Sequence, residues 1–254
     1  MKQPYIGITG FMIQEEVRSV LDILPENFNR LVMIGALVSR KTLQGGENKW
    51  PNRYPKKEKV EDIFIDHPRA LNLVHYNTGD QATLFDQLVE VTELSPNIDG
   101  FQLNMTWPAP DELRRYREQY PNMKIVLQVG ERAFMRVDHS PSFLLGRVMT
   151  NYLGLIDYLL LDPSGGQGKP MDASILQPYL ETLAMAEETA KIDIGIGIAG
   201  GLGPKTMHLL APLVKDFPDI SIDAEGQLRD ENDNLNLVAA KEYLVKAYEM
   251  LERK

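Results

Sequence analysis

Residues 157–169 read Asp157-Tyr158-Leu159-Leu160-Leu161-Asp162-Pro163-Ser164-Gly165-Gly166-Gln167-Gly168-Lys169. An apolar run with no polar alternation ends in a carboxylate and passes straight into a glycine-rich loop. Runs of this kind are characteristic of parallel strands covered on both faces. Beyond the loop, residues 173–189 carry apolar side chains at helical spacing. The stretch is therefore one strand–loop–helix unit, with its polar groups gathered where the strand ends.

The same unit recurs in both directions along the chain. Strand-like runs are expected at 5–9, 31–38, 70–76, 100–105, 124–129, 157–162, 192–199 and 220–224. Helical spacing falls around 17–21, near 60–65, and over 81–94, 111–119, 141–153, 173–189 and 235–251. One more helix is expected beside Pro204, since proline is tolerated in a first turn. Eight such units in 254 residues predict an α/β protein, a (β/α)8 TIM barrel formed by one domain over 1–254. An open, doubly wound sheet is the alternative. The polar, proline- and lysine-bearing segment 39–59 reads as an enlarged loop and not as a linker.

Composition narrows the function classes. Hydrophobic residues make up 43% and charged residues 25%, the profile of a globular chain. No apolar run approaches the ~20 residues of a membrane helix. Met1-Lys2-Gln3-Pro4 leads into a short strand run, so a cytoplasmic location is expected, with no membrane partner. Cysteine is absent, which excludes disulfides, thiolate metal sites and a cysteine nucleophile. The balance of 27 basic against 36 acidic residues gives −9, which disfavours nucleic acid. The basic cluster Lys49, Arg53, Lys56, Lys57 and Lys59 reads as a solvated loop. Small anions are still open to such a chain, because backbone N–H groups bind them whatever the net charge.

In a (β/α)8 barrel the chemistry sits where the strands end. Those positions hold Thr9, Arg40, His75 with Asn77, Asn104, Gln128 with Glu131, Asp162 and Glu225. Asp162 with the loop Gly165, Gly166 and Gly168 is the sharpest signal, since glycines let a backbone approach a ligand closely. A turn with a capping aspartate is the plain structural alternative. The second signal is Ala199-Gly200-Gly201-Leu202-Gly203, where a phosphate can sit between the last two loops of a barrel. His67, His139 and His208 lack the carboxylate spacing of a metal site, and neither metal nor cofactor is expected.

Residues 157–169 followed by Ala199-Gly200-Gly201-Leu202-Gly203 resemble phosphoribosylanthranilate isomerase of tryptophan biosynthesis. The resemblance implies Asp162 as general acid. It implies Gly165, Gly166, Gly168, Gly200 and Gly201 around a substrate phosphate, and Arg40 facing a substrate carboxylate. The departures are as informative. Where that family has its cysteine base, this chain reads Gly7-Ile8-Thr9-Gly10. A threonine hydroxyl cannot act as a base near neutrality. The strand-four histidine is replaced in Gln102-Leu103-Asn104, and Glu225-Gly226-Gln227 stands where small residues face the phosphate. A carboxylate there repels a phosphate unless it is neutralised.

A divergent isomerase-like barrel acting on a phosphorylated sugar or similar small anion is the first expectation. Its replacement base would be His75, Glu225 or Glu131, imidazole being the type that titrates near neutrality. A non-catalytic barrel that binds a metabolite or a protein is the second, and a hydrolase or lyase using Asp162 with Glu225 is the third. The expected partner is a small anionic metabolite, with a homodimer left open.

Overall fold

Each apolar run forms a strand, and the strands close on themselves. The computed structural model describes residues 2–164 and 171–252. Strands β1 Tyr5–Thr9, β2 Leu31–Ser39, β3 Ala70–Asn77, β4 Gly100–Leu103, β5 Lys124–Gly130, β6 Tyr158–Asp162, β7 Gly195–Ala199 and β8 Ser221–Ala224 pair in chain order. All the pairings are parallel, and they make one closed barrel. Strands β1 and β8 meet through Ile6–Ile222, Gly7–Asp223 and Ile8–Ala224, which excludes the open sheet. Helices α1 Gln14–Leu21, α2 Arg40–Leu43, α3 Leu84–Thr92, α4 Pro110–Gln119, α5 Glu131–Met135, α6 Pro141–Asn151, α7 Ala173–Ala190, α8 Ala211–Val214 and α9 Leu237–Leu251 fill the connections. The protein is a (β/α)8 TIM barrel. No helix among the described residues is long and apolar enough to cross a membrane.

Local chemistry sets the helix starts. Pro110 and Pro141 occupy first turns, where the missing N–H has no helical partner in any case. The side chains of Ser140, Asp172 and Asn236 accept from the otherwise unpaired N–H groups of Phe143, Ser174 and Ala239. Two expected helices are not formed. Residues 60–65 follow a short 3-10 turn at Lys57–Lys59 as irregular chain, with Val60, Ile63, Phe64 and Ile65 all buried. Their apolar content reflects burial, not periodicity. Past Pro204 the chain makes turns, a 3-10 segment Met207–Leu210 and then only the single turn of α8. Conversely, the short α2 and α5 carry too few residues for any periodicity to register.

The strand period of two divides the core. The larger apolar cluster, including Ile6, Ile34, Val74, Leu127 and Leu161, lies between the strands and the helices. The smaller one, Tyr5, Met33, Leu71, Leu73, Val126, Tyr158, Leu160 and Ala199, fills the barrel interior. Each fully buried side chain of this size contributes about 1.5–3 kcal/mol. Below this interior layer, at the N-terminal ends of the strands, Asp157 gathers Lys2 at 3.2 Å, Arg117 at 2.8 Å and the Ile125 N–H at 3.0 Å. Burial pushes the Asp157 carboxyl up, but these three donors prevail and hold it below the usual range. Above the apolar interior, at the ends of the strands, the inward positions turn polar.

Candidate active site

That polar layer is one hydrogen-bonded row running from β1 to the loop after β6. Thr9 Oγ1 donates to Asp223 Oδ1 at 3.2 Å, and Gln102 Nε2 donates to Asp223 Oδ2 at 2.9 Å. Gln102 Nε2 also reaches Gln128 Oε1 at 3.4 Å, and Gln128 Nε2 donates to Asp162 Oδ2 at 2.9 Å. Asp162 Oδ1 then accepts the Ser164 hydroxyl at 2.6 Å and its N–H at 3.2 Å. The row thus joins two carboxyl groups through two carboxamides. Thr9, His75, Gln102, Gln128, Asp162 and Asp223 are all buried.

The two carboxyls have different surroundings. Asp162 has both oxygens taken up by donors from Gln128 and Ser164. Asp223 lies deeper. Burial raises its pKa, and the charge of Glu225 adds to the rise, against the hydrogen bonds of Gln102 and Thr9 and the field of His75. Beside it stand the buried phenols of Tyr5 and Tyr243, which burial and the Asp223 charge push well above the ordinary tyrosine range. His75 is only 6% exposed, and neither ring nitrogen has a hydrogen-bond partner among the described residues. A buried imidazole without partners is costly unless something else occupies its nitrogens.

Two connected spaces open over this layer. A small one of about 80 Å3 lies among the loops after β6, β7 and β8. A wide cleft of about 940 Å3 lies over the ends of β3 to β6. His75, Gln128, Asp162, Ser164 and Glu225 face both.

The expected site residues therefore separate into groups. His75, Asp162 and Glu225 come together at the junction of the two spaces, and Gly200 and Gly201 line the small one. Gly200 has φ +119°, and a Cβ there would stand 3.2 Å from Ser164 Cβ and 3.4 Å from Asp162 Oδ1. Glycine lets the chain leaving β7 pass close to Asp162. Thr9 lies beneath the site as a donor to Asp223 and borders neither space. Arg40 opens α2 and borders neither space; its charge acts on Tyr76, whose hydroxyl donates to Gln87 on the helix side. Gly165, Gly166 and Gly168 lie outside the described residues. Glu131 lines the wide cleft, with His139 Nε2 at 3.9 Å.

Glu225 is neutralised from an unexpected side. Arg53, in the long β2–β3 connection, places Nη1 at 3.0 Å from Glu225 Oε1. Its Nε and Nη2 grip Asp233 at 2.7 and 2.6 Å. Arg229 adds a second guanidinium at 3.7 Å from Glu225 and donates to the Thr9 carbonyl at 3.3 Å. Arg229 fits only because residue 10 is glycine: a Cβ there would stand 1.7 Å from Nη2. Asn52 donates to the Asn232 carbonyl at 2.9 Å. The basic segment is thus not a freely solvated loop. Arg53 is drawn down onto the mouth of the barrel by carboxylates about 170 to 180 residues away in sequence.

Asp223 is the group that a reading of strand ends passes over, because it sits one inward step before Glu225. Its signal is the alternation Ser221, Asp223, Glu225 between the outward apolar Ile222 and Ala224. Among the described residues, no group of three or more histidine or carboxylate side chains is arranged to hold a metal ion.

No protein-family model matches the chain, and no curated protein matches it. Solved structures do. The phosphoribosyl anthranilate isomerase of Thermotoga maritima superposes with a TM-score of 0.64 at 16% identity, over 98% of this chain and 100% of that one. The Thermus thermophilus protein of the same name gives 0.63 at 13%, over 96% and 98%. KGPDC from Streptococcus mutans gives 0.54 at 10%, over 99% and 100%. At such identities the likeness is one of fold, and among these three it is greatest for the phosphoribosylanthranilate isomerases, whose barrels match this one from end to end.

Proposed function

We propose that this barrel is an acid–base isomerase acting on a small phosphorylated sugar or a closely related sugar anion. The observation that carries the reading is the buried Asp223, which borders the small space, together with the buried and unpartnered His75, which borders both spaces. The environments of the two groups suit opposite tasks. Burial favours the neutral, proton-bearing form of Asp223, which makes it a donor. His75 borders both spaces, and its two ring nitrogens, buried and without partners among the described residues, are placed to accept a proton from a ligand seated against the ring.

The chemistry follows from those roles. Asp223 gives its proton to the ring oxygen of a bound aldose or aminoaldose, and the ring opens. His75 removes the proton from C2; its electron pair forms a C1–C2 double bond while the π pair of the C1 carbonyl or iminium withdraws onto O1 or N, which in the aldose takes up a proton. Loss of the O2 proton and return of a proton to C1 leave a ketose or aminoketose, with no oxidant or co-reactant consumed. Asp162, which the resemblance implies as the acid, also borders both spaces, and its oxygens, like those of Asp223, accept hydrogen bonds. Asp223 is preferred because burial raises its carboxyl, and an Asp162→Asn variant tests the other assignment.

The test is proton exchange in heavy water, followed by NMR, with ribose 5-phosphate and a panel of other aldose phosphates. The protein should wash deuterium into C2 of at least one of them, and His75→Asn and Asp223→Asn should each lower the rate 10²–10⁴-fold. Loss of exchange in neither variant, or no exchange with any sugar phosphate, would overturn the proposal. Thr9→Cys puts a thiol beside Asp223. A gain of phosphoribosylanthranilate turnover in that variant would support a pocket of that family's shape in this barrel.

A further inference from the structure

We infer that the ligand lies with its anionic end toward α5, held by Arg132 and Arg136, and its uncharged hydroxyl end toward β7 and β8. The inference rests on the reading above, that the cleft takes a small sugar anion, and adds the direction in which that anion lies. Two observations carry it, one from each end of the site.

At the β7–β8 end the charges oppose an anion. Among the described residues, the small space is faced by Asp162, Asp223 and Glu225, while the one guanidinium lining it, Arg53, is already spent on Glu225 and Asp233. A phosphate entering there meets, among the described residues, the Asp162 carboxylate, the buried Asp223 and the arginine-paired Glu225, and no uncommitted cation. Hydroxyls suit the space instead, because carboxylates and the Ser164 hydroxyl accept and exchange hydrogen bonds with them. The α8 segment beyond β7 is a single turn and offers no helix dipole of consequence.

At the β5 end the balance reverses. Helix α5 begins directly where β5 stops, so Arg132 and Arg136 stand one turn apart on a rigid element. Both line the wide cleft, and neither has an ion-pair partner among the described residues. The carboxylate next to them, Glu131, lies toward His139. Two guanidinium forks a helical turn apart match the oxygens of a phosphate. A ligand spanning from them to the junction puts its reacting carbons over His75, Asp223 and Asp162.

The test is a titration of the ¹⁵N-labelled protein with inorganic phosphate. Saturable shifts are expected in the backbone amides of residues 130–136 and the side-chain Nε–H groups of Arg132 and Arg136. The double variant Arg132→Gln with Arg136→Gln should bind phosphate at least 10-fold more weakly, with the pattern of unaffected resonances showing an intact fold. Arg114→Gln with Arg115→Gln, a surface pair on α4, should bind as the parent does. Shifts centred on residues 200–203 and 226–227, equal loss in the α4 variant, or no saturable binding would each overturn the inference. The exchange assay separates the two claims. If sugar phosphates are exchanged but the α5 variant keeps its KM, only the orientation fails. If phosphate binds at α5 but no sugar phosphate is exchanged, only the proposed reaction fails.

Discussion

Replacing Asp223 by asparagine should stabilise the protein above about pH 4, and by an amount that grows with pH. The side chain is buried, and its surroundings hold its pKa above the unfolded value, first by burial and then by the charge of Glu225. A carboxyl of this kind contributes fully to stability below the unfolded pKa of about 3.9 and loses that contribution as pH rises through the folded pKa. Within the window the unfolded chain binds one proton fewer than the folded one, so stability falls by about 1.4 kcal/mol per pH unit. Asparagine has no proton to lose. Its amide fits the existing contacts, with Oδ1 facing Gln102 Nε2 at 2.9 Å and Nδ2 facing Thr9 Oγ1 at 3.2 Å, the threonine changing from donor to acceptor. The two proteins should therefore be equally stable, within about 0.5 kcal/mol, below pH 4. Urea unfolding at half-unit steps from pH 3.5 to 8 measures the difference directly. Contributions from Asp157 and Asp233 cancel, since both proteins keep them. The pH at which the difference levels off is the folded pKa. A variant that is less stable at pH 7, or a difference that shrinks as pH rises, would mean that Asp223 is held as a paired carboxylate, and its role as proton donor would fall with it.

Gly200→Ala should cost about 1–3 kcal/mol in a thermal melt, because φ +119° is strained for alanine and the new Cβ presses on Ser164 and Asp162. Exchange activity should fall with it; an alanine variant as stable and active as the parent would show that this backbone position is free to relax. Arg117→Met removes a guanidinium from the buried Asp157 while leaving Lys2 and the Ile125 N–H in place, at a cost of about 2 kcal/mol at pH 7. The part of that cost owed to Asp157 should disappear in acid, because a depressed carboxyl stabilises above the unfolded pKa and stops doing so as pH falls through the folded one. The loss of the bonds to the Pro121, Met123 and Leu155 carbonyls persists at every pH. Asp233→Asn breaks a half-exposed ion pair, so only a few tenths of a kcal/mol should be lost after solvent screening, again only above about pH 4. Glu225→Gln takes a carboxylate out of the small space and frees Arg53 Nη1, and calorimetry should find a second, weak phosphate site there that the parent lacks. Spectrophotometric titration should find Tyr152 and Tyr158 ionising only near pH 12, since burial pushes both phenols up to about that value.

The barrel could be read from the chain because each strand is an uninterrupted apolar run, and burial on two faces leaves little ambiguity in where a run begins. The strand 5–9 coincides with Tyr5–Thr9, and the others differ by a few residues at their ends. Helices were legible where several turns repeat an apolar stripe, as over Ala173–Ala190, and illegible where one turn carries none, as at Glu131–Met135. The site was legible in part. Strand ends pointed to His75, Asp162 and Glu225, which the fold brings together. Asp223 was hidden because inward direction depends on strand parity, not on nearness to the tip. Arg53 was hidden because its partners Glu225 and Asp233 lie about 170 to 180 positions away, beyond any local pattern. The separation of the anionic and hydroxyl ends depends on which guanidinium is already paired, and only three dimensions show that.

The pairing of β1 with β8 bears on how the molecule is assembled as well as on its shape. The contacts Gly7–Asp223 and Tyr5 N–H to Ser221 Oγ join residues 216 positions apart, among the most distant contacts in the chain. Closure entropy rises with the length of chain enclosed, so contacts of this separation form late in folding. Strand β8 brings Asp223 and Glu225 with it, and Arg53 finds its anchors only when the loop beyond β8 has docked. A partly wound barrel, however helical and compact, would therefore hold His75 and Asp162 without the proposed acid. Recovery of proton exchange during refolding should lag behind recovery of secondary structure, which makes catalysis a clock for the last strand.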